Sequence, residues 1–151
     1  MMSGAPVTVT ISGEPVAKGR ARITRRGFAY TPAATRKYEA HGRLAAQLAM
    51  DGRPPIEAPV HISIVVELPV PSSWSARKKA GALAGGIRPT SRPDIDNYVK
   101  AILDAVNGIV LADDALVVEL HAIKQYGSVP QMVATICPIA NAAASNRRAA
   151  S

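Results

Sequence analysis

Residues 59–70 constrain the fold of this chain more than any other segment. They read PVHISIVVELPV, in which apolar and often β-branched residues recur at every second position. This period of two is typical of a β-strand that buries one face. The buried face is predicted to carry Val60, Ile62, Ile64 and Val66. Such a face needs a second layer to cover it, so the other segments must supply helices or another sheet.

The sequence before this strand predicts a strand, a basic connection and a helix. Residues 7–13, VTVTISG, alternate apolar and polar side chains, which is typical of a strand. Glycines then mark a basic loop or short hairpin around ARIT and FAY. Thr31 and Pro32 indicate an N-cap and first helical residue, and the helix runs to Met50. We expect this helix to direct toward the core Tyr38, Leu44, Ala45 and Leu48.

The sequence after the strand predicts a basic connection, a helix and two strands. Residues 71–93 are rich in Pro, Ser, Gly and basic side chains, so they form a loop or a short helix. Residues 95–106 show helical periodicity, and Gly108 is placed to end that helix. Residues 115–127 and 130–140 are typical of a closing antiparallel hairpin.

The order of these elements shows no repeat and no regular βαβ alternation. It favours an α+β class, a two-layer single domain with a mixed β-sheet packed against helices. The chain has 151 residues and is 48% hydrophobic, enough for one core. We expect the domain to span residues 1–138 and residues 139–151 to be a disordered tail with nothing to bury.

The charge of the chain is strongly positive and unevenly distributed. The formal net charge is +7 and the sequence pI is near 10.0, which indicates a polyanionic partner such as nucleic acid. Thirteen of the 18 Lys and Arg fall in two stretches. The first basic stretch holds Lys18, Arg20, Arg22, Arg25, Arg26, Arg36, Lys37 and Arg43, and the second holds Arg77, Lys78, Lys79, Arg88 and Arg92.

Several classes of protein are disfavoured by what the chain lacks. No apolar run reaches the roughly 20 residues of a membrane span, so we expect a soluble, cytoplasmic protein. Cys137 is the single cysteine, which excludes an intramolecular disulfide and a cysteine zinc site. The three histidines are too scattered for a metal or triad spacing.

The acidic residues concentrate between the second basic stretch and the next strand. Residues 92–114 read RPDIDNYVKAILDAVNGIVLADD and hold five of the 11 Asp and Glu. At about 100° per residue, Asp96, Lys100 and Asp104 share one face of the predicted helix, and apolar residues occupy the other. Asp104 is either a partner of Lys100 or a solvated residue.

Two interpretations of these aspartates are open. Asp94 is placed to cap the helix, and Asp113 and Asp114 are typical of a polar turn. Taken together, however, the helix start and the turn are predicted to meet at one edge of the sheet. Clustered carboxylates repel, and oxygen ligands without His or Cys suit Mg²⁺ or Mn²⁺.

The acidic segment resembles the RusA-like Holliday junction resolvases. The matching residues are PDIDN at 93–97, Lys100, DA at 104–105, NG at 107–108 and DD at 113–114. The resemblance extends from Val7 to about Ile139 and includes PVAKGRARITRRG, YTPAATRKYE and PVPSSWSARKKAGALAGG. The sequence departs from the family at Leu116, where a glutamine is common.

The resemblance implies a homodimeric endonuclease that depends on Mg²⁺ or Mn²⁺ and cuts symmetrically across a four-way DNA junction. It implies metal ligands at Asp94, Asp96 and one of Asp113 and Asp114, with Asp114 preferred, and a catalytic lysine at Lys100. Candidate DNA-binding residues are Lys18, Arg20, Arg22, Arg25, Arg26, Arg77, Lys78, Lys79 and Arg88.

Other functions are compatible with the same residues. One is a less selective nuclease that cuts flaps or other branched DNA. Another is a DNA-binding protein without catalysis, whose acidic cluster serves capping and solubility. Trp74 likewise has two interpretations, stacking on an unpaired base or packing its own loop onto the core.

Overall fold

The computed structural model describes residues 4–19, 22–27, 29, 30 and 32–139, without the side chains of residues 22, 23, 29 and 30. The predicted N-cap Thr31 lies outside the described residues. So does the predicted disordered tail from residue 140 onward. The domain limits therefore stay predictions.

One four-stranded sheet forms the first layer. The strands of the chain are β1 (Val7–Ser12), β2 (Arg22–Ile23), β3 (Ala29–Tyr30), β4 (Val60–Leu68), β5 (Val117–Tyr126) and β6 (Gln131–Pro138). The sheet order is β1-β6-β4-β5, with β6 antiparallel to both neighbours and β5 parallel to β4. The strands β2 and β3 pair separately, which confirms the predicted short hairpin.

Helices cover one face of this sheet. The helices are α1 (Ala33–Met50), α2 (Ala76–Leu83) and α3 (Ile95–Val106), and the covering layer consists of α1 and α3, which pack on the sheet and on each other. The predicted inward face of β4 is confirmed, because its four alternate residues are completely buried. The mixed sheet and its helices confirm the predicted α+β class.

The helices α2 and α3 follow their local sequence. The predicted bounds of α3 are confirmed, and its buried stripe includes Tyr98, Ile102 and Val106. In the connection before it, the short-helix alternative is the one observed, as α2. The helix α2 begins after Ser75, whose Oγ accepts a hydrogen bond from the Lys78 amide at 3.2 Å.

The predicted hairpin between β5 and β6 is wrong. These two strands lie on opposite sides of β4, since β5 pairs with one edge of β4 and β6 with the other. The connection passes over the end of β4, where the Gly127 amide donates to the Leu68 carbonyl at 3.0 Å. A short turn between two strands suggests a hairpin locally, but the well-buried β4 needs a neighbour on each side.

The predicted core face of α1 is partly wrong. Leu44 and Leu48 are 53% and 72% exposed, while Tyr38 and Ala45 pack against the core as predicted. The buried stripe instead holds Thr35, Gly42, Ala46 and Met50. In addition, Pro32 occupies the N-cap position and not the first helical position.

Gly42 explains the orientation of α1. A Cβ atom at this position would lie 3.0 Å from Ala105 Cβ and 3.1 Å from Ile11 Cδ1. The helix therefore approaches both α3 and β1 too closely for a larger side chain. The small face of α1 is buried for this reason, and its leucines face outward.

We predict that Gly42→Val destabilises the protein by about 1–3 kcal/mol, because the added atoms force α1 away from α3 and β1. Helix propensity alone would favour valine over glycine, so the sign separates packing from propensity. Urea unfolding measures the change. Ala40→Val, at an exposed position of the same helix, is the control and should cost no more than the difference in helix propensity, about 0.7 kcal/mol. A Gly42→Val protein as stable as wild type would contradict the close approach.

Candidate functional site

Asp94 and Asp96, named the helix-start pair, lie at the N-terminal end of α3 with exposed side chains. Asp94 holds the N-cap position, with φ −69° and ψ 152°, but within the described residues its carboxylate accepts no capping hydrogen bond. Capping therefore does not account for Asp94. The N-terminal end of the helix dipole favours both negative charges, and their oxygens face solvent.

Lys100 follows Asp96 by about one helical turn and is also exposed. The predicted polar face of α3 is thus confirmed at these two positions. Asp104, further along the same face, keeps 42% of its side chain exposed, in line with the solvated alternative. Its carboxylate also accepts from the Lys18 ammonium at 2.9 Å, a partner that was not predicted.

Lys18 joins the start of the first basic stretch to two helices. Its Nζ lies 2.5 Å from Glu39 Oε1 of α1 and 2.9 Å from Asp104 Oδ2 of α3, and its amide donates to the Asn97 carbonyl at 3.0 Å. The hydrogen bonds to Glu39 and then Asp104 hold the pKa of Lys18 above its ordinary value. Because this ammonium is already engaged by two carboxylates, the geometry favours a linking role over the predicted phosphate contact.

Asp113 and Asp114, named the turn pair, lie beyond the other end of α3. Asp114 opens a short 3-10 turn, Asp114–Leu116, and its amide donates to Oδ1 of Asn107, the C-cap residue of α3, at 3.1 Å. Both aspartates are exposed. Within the described residues, Asp113 makes no capping hydrogen bond for this turn.

The predicted meeting of the two pairs is wrong within one chain. The helix α3 has 12 residues, so its ends are about 18 Å apart. The strand β5 returns beside it, and Lys124 near the end of β5 reaches the carbonyls of Ser91 and Pro93 before the helix. Among the described residues, no group of three or more His, Cys, Asp or Glu could hold a metal ion.

The topology explains this separation. Parallel strands need a crossover connection, and the crossover helix must run antiparallel to the strands it joins. Residues before α3 therefore lie at one end of the sheet and residues after it at the other. The donor types still fit Mg²⁺, which commonly binds through one or two carboxylates plus substrate phosphate. The two carboxylates of the helix-start pair are by themselves enough for that pattern. The full set of three carboxylates does not form in one chain.

The basic candidates occupy loops and α2. Arg25 and Arg26 are exposed in the turn of the β2–β3 hairpin, and Arg77, Lys78 and Arg88 are exposed in or after α2. Lys79 is half-buried. Arg20 and the side chain of Arg22 lie outside the described residues. The DNA contacts of all these residues stay predictions.

The surroundings of Trp74 favour its packing interpretation. Its ring meets the edge of Tyr126 with centroids 5.4 Å apart, and the Lys78 ammonium sits 4.1 Å from the ring centroid. One face of the indole is thus covered by a cation, and the residue is half-buried. The arrangement ties the start of α2 to the end of β5.

Two basic residues that support α3 were missed by sequence reasoning. Arg43 Nη1 of α1 donates to the Asp104 carbonyl at 3.1 Å, near the C-terminal end of α3. Lys124 Nζ donates to the Ser91 and Pro93 carbonyls at 2.9 and 3.0 Å, before the helix begins. The partners themselves have no sequence signal, because each partnership joins residues more than 30 positions apart. For Lys124, its place on a strand face shared with Leu120 and Ala122 was a weak hint.

Comparison with known proteins identifies the family. A family model described as Endodeoxyribonuclease RusA matches residues 12–137, from the end of β1 into β6. The chain is also 37% identical over 130 residues to the Uncharacterized protein YqaN of Bacillus subtilis (strain 168), which covers 83% of this chain and 92% of that protein. The class of protein is therefore endodeoxyribonuclease. Within that class, the chain belongs to the RusA family, as its acidic segment predicted.

In the part of the chain that the structure describes, no helix is long and apolar enough to cross a membrane.

We predict that Lys18→Met destabilises the protein by about 1–2 kcal/mol, between the values of exposed and buried ion pairs. Glu39 and Asp104 would then face each other without a cation. Urea unfolding at neutral pH measures the change. Lys37→Met removes an exposed lysine from α1 and should have an effect of less than about 0.5 kcal/mol. Equal effects of the two substitutions would contradict the linking role.

The pH dependence of this difference follows from the raised pKa of Lys18. A folded-state pKa above the unfolded value stabilises the folded state below the unfolded pKa, and that stabilisation disappears as pH rises through the folded pKa. The difference in free energy of unfolding between wild type and Lys18→Met should therefore stay constant from about pH 7 to about pH 9, below the unfolded pKa of lysine.

Proposed function

We propose that this protein is a metal-dependent endodeoxyribonuclease that resolves four-way DNA junctions by paired phosphodiester hydrolysis during recombination or repair. The observation that carries the proposal is the helix-start pair, which is exposed beside Lys100 in a member of the RusA family. Within the described residues, Asp94 makes no side-chain capping hydrogen bond that would explain its presence. The net charge of +7 supports a DNA substrate. We expect the enzyme to act in the cytoplasm.

The proposed site uses the carboxylates of α3 as ligands. Asp94 and Asp96 would hold Mg²⁺ or Mn²⁺. When bound, such an ion lowers the pKa of its water and offsets charge on the phosphate. Lys100, about one turn further along the helix, would place its ammonium against the developing negative charge of the phosphate.

The turn pair requires a second copy of the chain to take part. Because it lies beyond the other end of α3, a helix about 18 Å long, it is too far away to complete the same ligand set within one chain. We propose that the enzyme is a homodimer in which the turn pair of one copy, through Asp114 or Asp113, completes the site at the helix-start pair of the other. Two such composite sites would provide the two symmetric cuts.

Positive side chains outside the acidic centre would hold the DNA backbone. The exposed arginines of the β2–β3 turn and of α2 are the main candidates, with Lys78, Lys79 and Arg88 beside them. Such contacts weaken binding with a log–log salt slope of about −0.9 per neutralised phosphate on duplex DNA.

We predict that Asp96→Asn lowers the rate of cleavage of a synthetic four-way junction by at least about 100-fold, because it removes a charged ligand. Junction binding measured by gel shift in EDTA should stay within about twofold, since the substitution leaves the basic surface unchanged. Asp51→Asn is the matched control, because Asp51 is exposed at the left-handed C-cap of α1, a conformation that asparagine also adopts.

The same assay separates the alternatives. A wild-type protein that binds junctions with Mg²⁺ but never cuts them would be a DNA-binding protein without catalysis. One that cuts flaps and junctions at equal rates at matched salt would be a less selective nuclease.

We predict that mixed dimers restore activity to two inactive variants. If the site is composite, a dimer of Asp96→Asn and Asp114→Asn subunits contains one doubly substituted site and one intact site, so it should nick a junction. Co-expression with two affinity tags isolates the mixed dimer, and denaturing gels measure nicking.

A matched mixture controls for this result. Asp94→Asn with Asp96→Asn damages both composite sites and should stay inactive. Inactivity of an isolated Asp96→Asn and Asp114→Asn dimer would contradict the composite site. An active Asp114→Asn homodimer would transfer the ligand role to Asp113, and the mixture is then made with Asp113→Asn.

A further inference from the structure

Lys124 lies on the helix-covered face of the sheet, where its neighbours are apolar. In the strand register it pairs with Val66 of β4, and Val66 pairs with Met132 of β6. Val66 and Met132 are completely buried, and paired residues share a sheet face. The stem of the half-buried Lys124 therefore lies on this face, at the edge strand β5. Its ammonium reaches the exposed margin of the face, where it finds hydrogen-bond acceptors.

The acceptors are two main-chain carbonyls that precede the helix-start pair. Lys124 Nζ donates to the Ser91 carbonyl at 2.9 Å and to the Pro93 carbonyl at 3.0 Å. Residues 84–94 form the connection from α2 to α3 and have no helix or strand structure. Their path is therefore set by contacts of this kind and not by a regular hydrogen-bond pattern.

We infer that Lys124 is a positioning residue that fixes the backbone presenting Asp94 and Asp96. The inference rests on the proposed function, since it concerns the geometry of the proposed ligands. The Pro93 carbonyl carbon is bonded to the Asp94 nitrogen. By holding that carbonyl, the ammonium fixes the backbone position from which the Asp94 side chain extends. Hydrogen bonds from a charged donor are stronger than neutral ones, and ligands must be held within about 0.5 Å for catalysis.

Lys124 differs from Lys18 and Lys100, the other two lysines at α3, in the groups that its ammonium contacts. Lys18 is paired with two carboxylates, and Lys100 is exposed toward solvent. Lys124 binds carbonyl oxygens, so it orders the loop without occupying the carboxylates proposed to bind metal. Two of its three N–H groups are used in this way, which favours positioning over a phosphate contact.

The test compares Lys124→Met with Lys37→Met, which also removes one positive charge but from the exposed face of α1. Hydrogen–deuterium exchange of a peptide covering residues 87–97 should be about tenfold faster in Lys124→Met than in wild type. The Mn²⁺ dissociation constant, measured by electron paramagnetic resonance, should rise by about tenfold, as for other residues that support ligands. Junction binding in EDTA should stay within about twofold, and Lys37→Met should match wild type in exchange and Mn²⁺ affinity.

The Lys124→Arg variant provides a second measure. It keeps the charge and the donors with a different head group, so it should restore only part of the Mn²⁺ affinity that Lys124→Met loses and stay about two- to fivefold below wild type. If Lys124→Met does not fold, as judged by circular dichroism, Lys124→Arg is compared directly with wild type. An Mn²⁺ affinity then reduced about two- to fivefold supports the inference, and an unchanged exchange rate and affinity overturn it.

Three outcomes decide the question. Wild-type exchange and Mn²⁺ affinity in folded Lys124→Met would overturn the inference. An equal loss of junction binding in EDTA and of cleavage would also overturn it, because Lys124 would then contact DNA. A wild-type protein that binds Mn²⁺ but cuts no DNA would contradict the proposed reaction only, since exchange and Mn²⁺ affinity do not depend on cleavage.

Discussion

Parallel strands cannot be joined by a tight turn, and the parallel pairing of β4 and β5 determines where the acidic residues of this protein lie. The connection must return along one face of the sheet from the end of β4 to the start of β5, and α3 forms this return. That helix is anchored to α1 by the close approach at Gly42 and to the core by a stripe that includes Tyr98 and Ile102. Its direction is thereby fixed, with the helix-start pair at one end and the turn pair at the other.

The charge distribution of the chain follows from this arrangement. A protein with a net charge of +7 concentrates five aspartates in one segment, yet the structure divides four of them between the two ends of α3. The fifth, Asp104, lies between these ends and is neutralised by Lys18. Repulsion among the carboxylates is thus reduced by distance and by pairing. The two exposed pairs face solvent, whereas Asp104 is bound by Lys18 and links the N-terminal segment to α3.

Local patterns predicted the elements well, and long-range relations limited the rest. The bounds of α3 and the buried face of β4 follow from periodicity, because each element is amphipathic on its own. Periodicity could not show that β4 separates β5 from β6, since a strand partner is chosen by the whole sheet. It also misplaced Leu44 and Leu48, because the close approach at Gly42 depends on Ala105, 63 positions away.

The candidate site shows the same division. The motif at residues 93–114 was sufficient to predict the family, yet it suggested that all the carboxylates meet. The supports of α3 from Lys18, Arg43 and Lys124 were beyond sequence reasoning, because each comes from a different element.

The separation of the two acidic pairs bears on how the proposed enzyme avoids damage to ordinary DNA. A chain that carried a complete metal site could cut any duplex that its basic surface binds, and that binding is largely independent of sequence and structure. On the proposed composite arrangement, a single copy holds only two carboxylates at the cutting position, so full ligation requires a dimer. The dimer fixes the distance between its two sites, and only a substrate that presents two phosphates at that spacing is cut twice. Structure selectivity would then come from the geometry of the dimer, while the basic residues supply affinity alone.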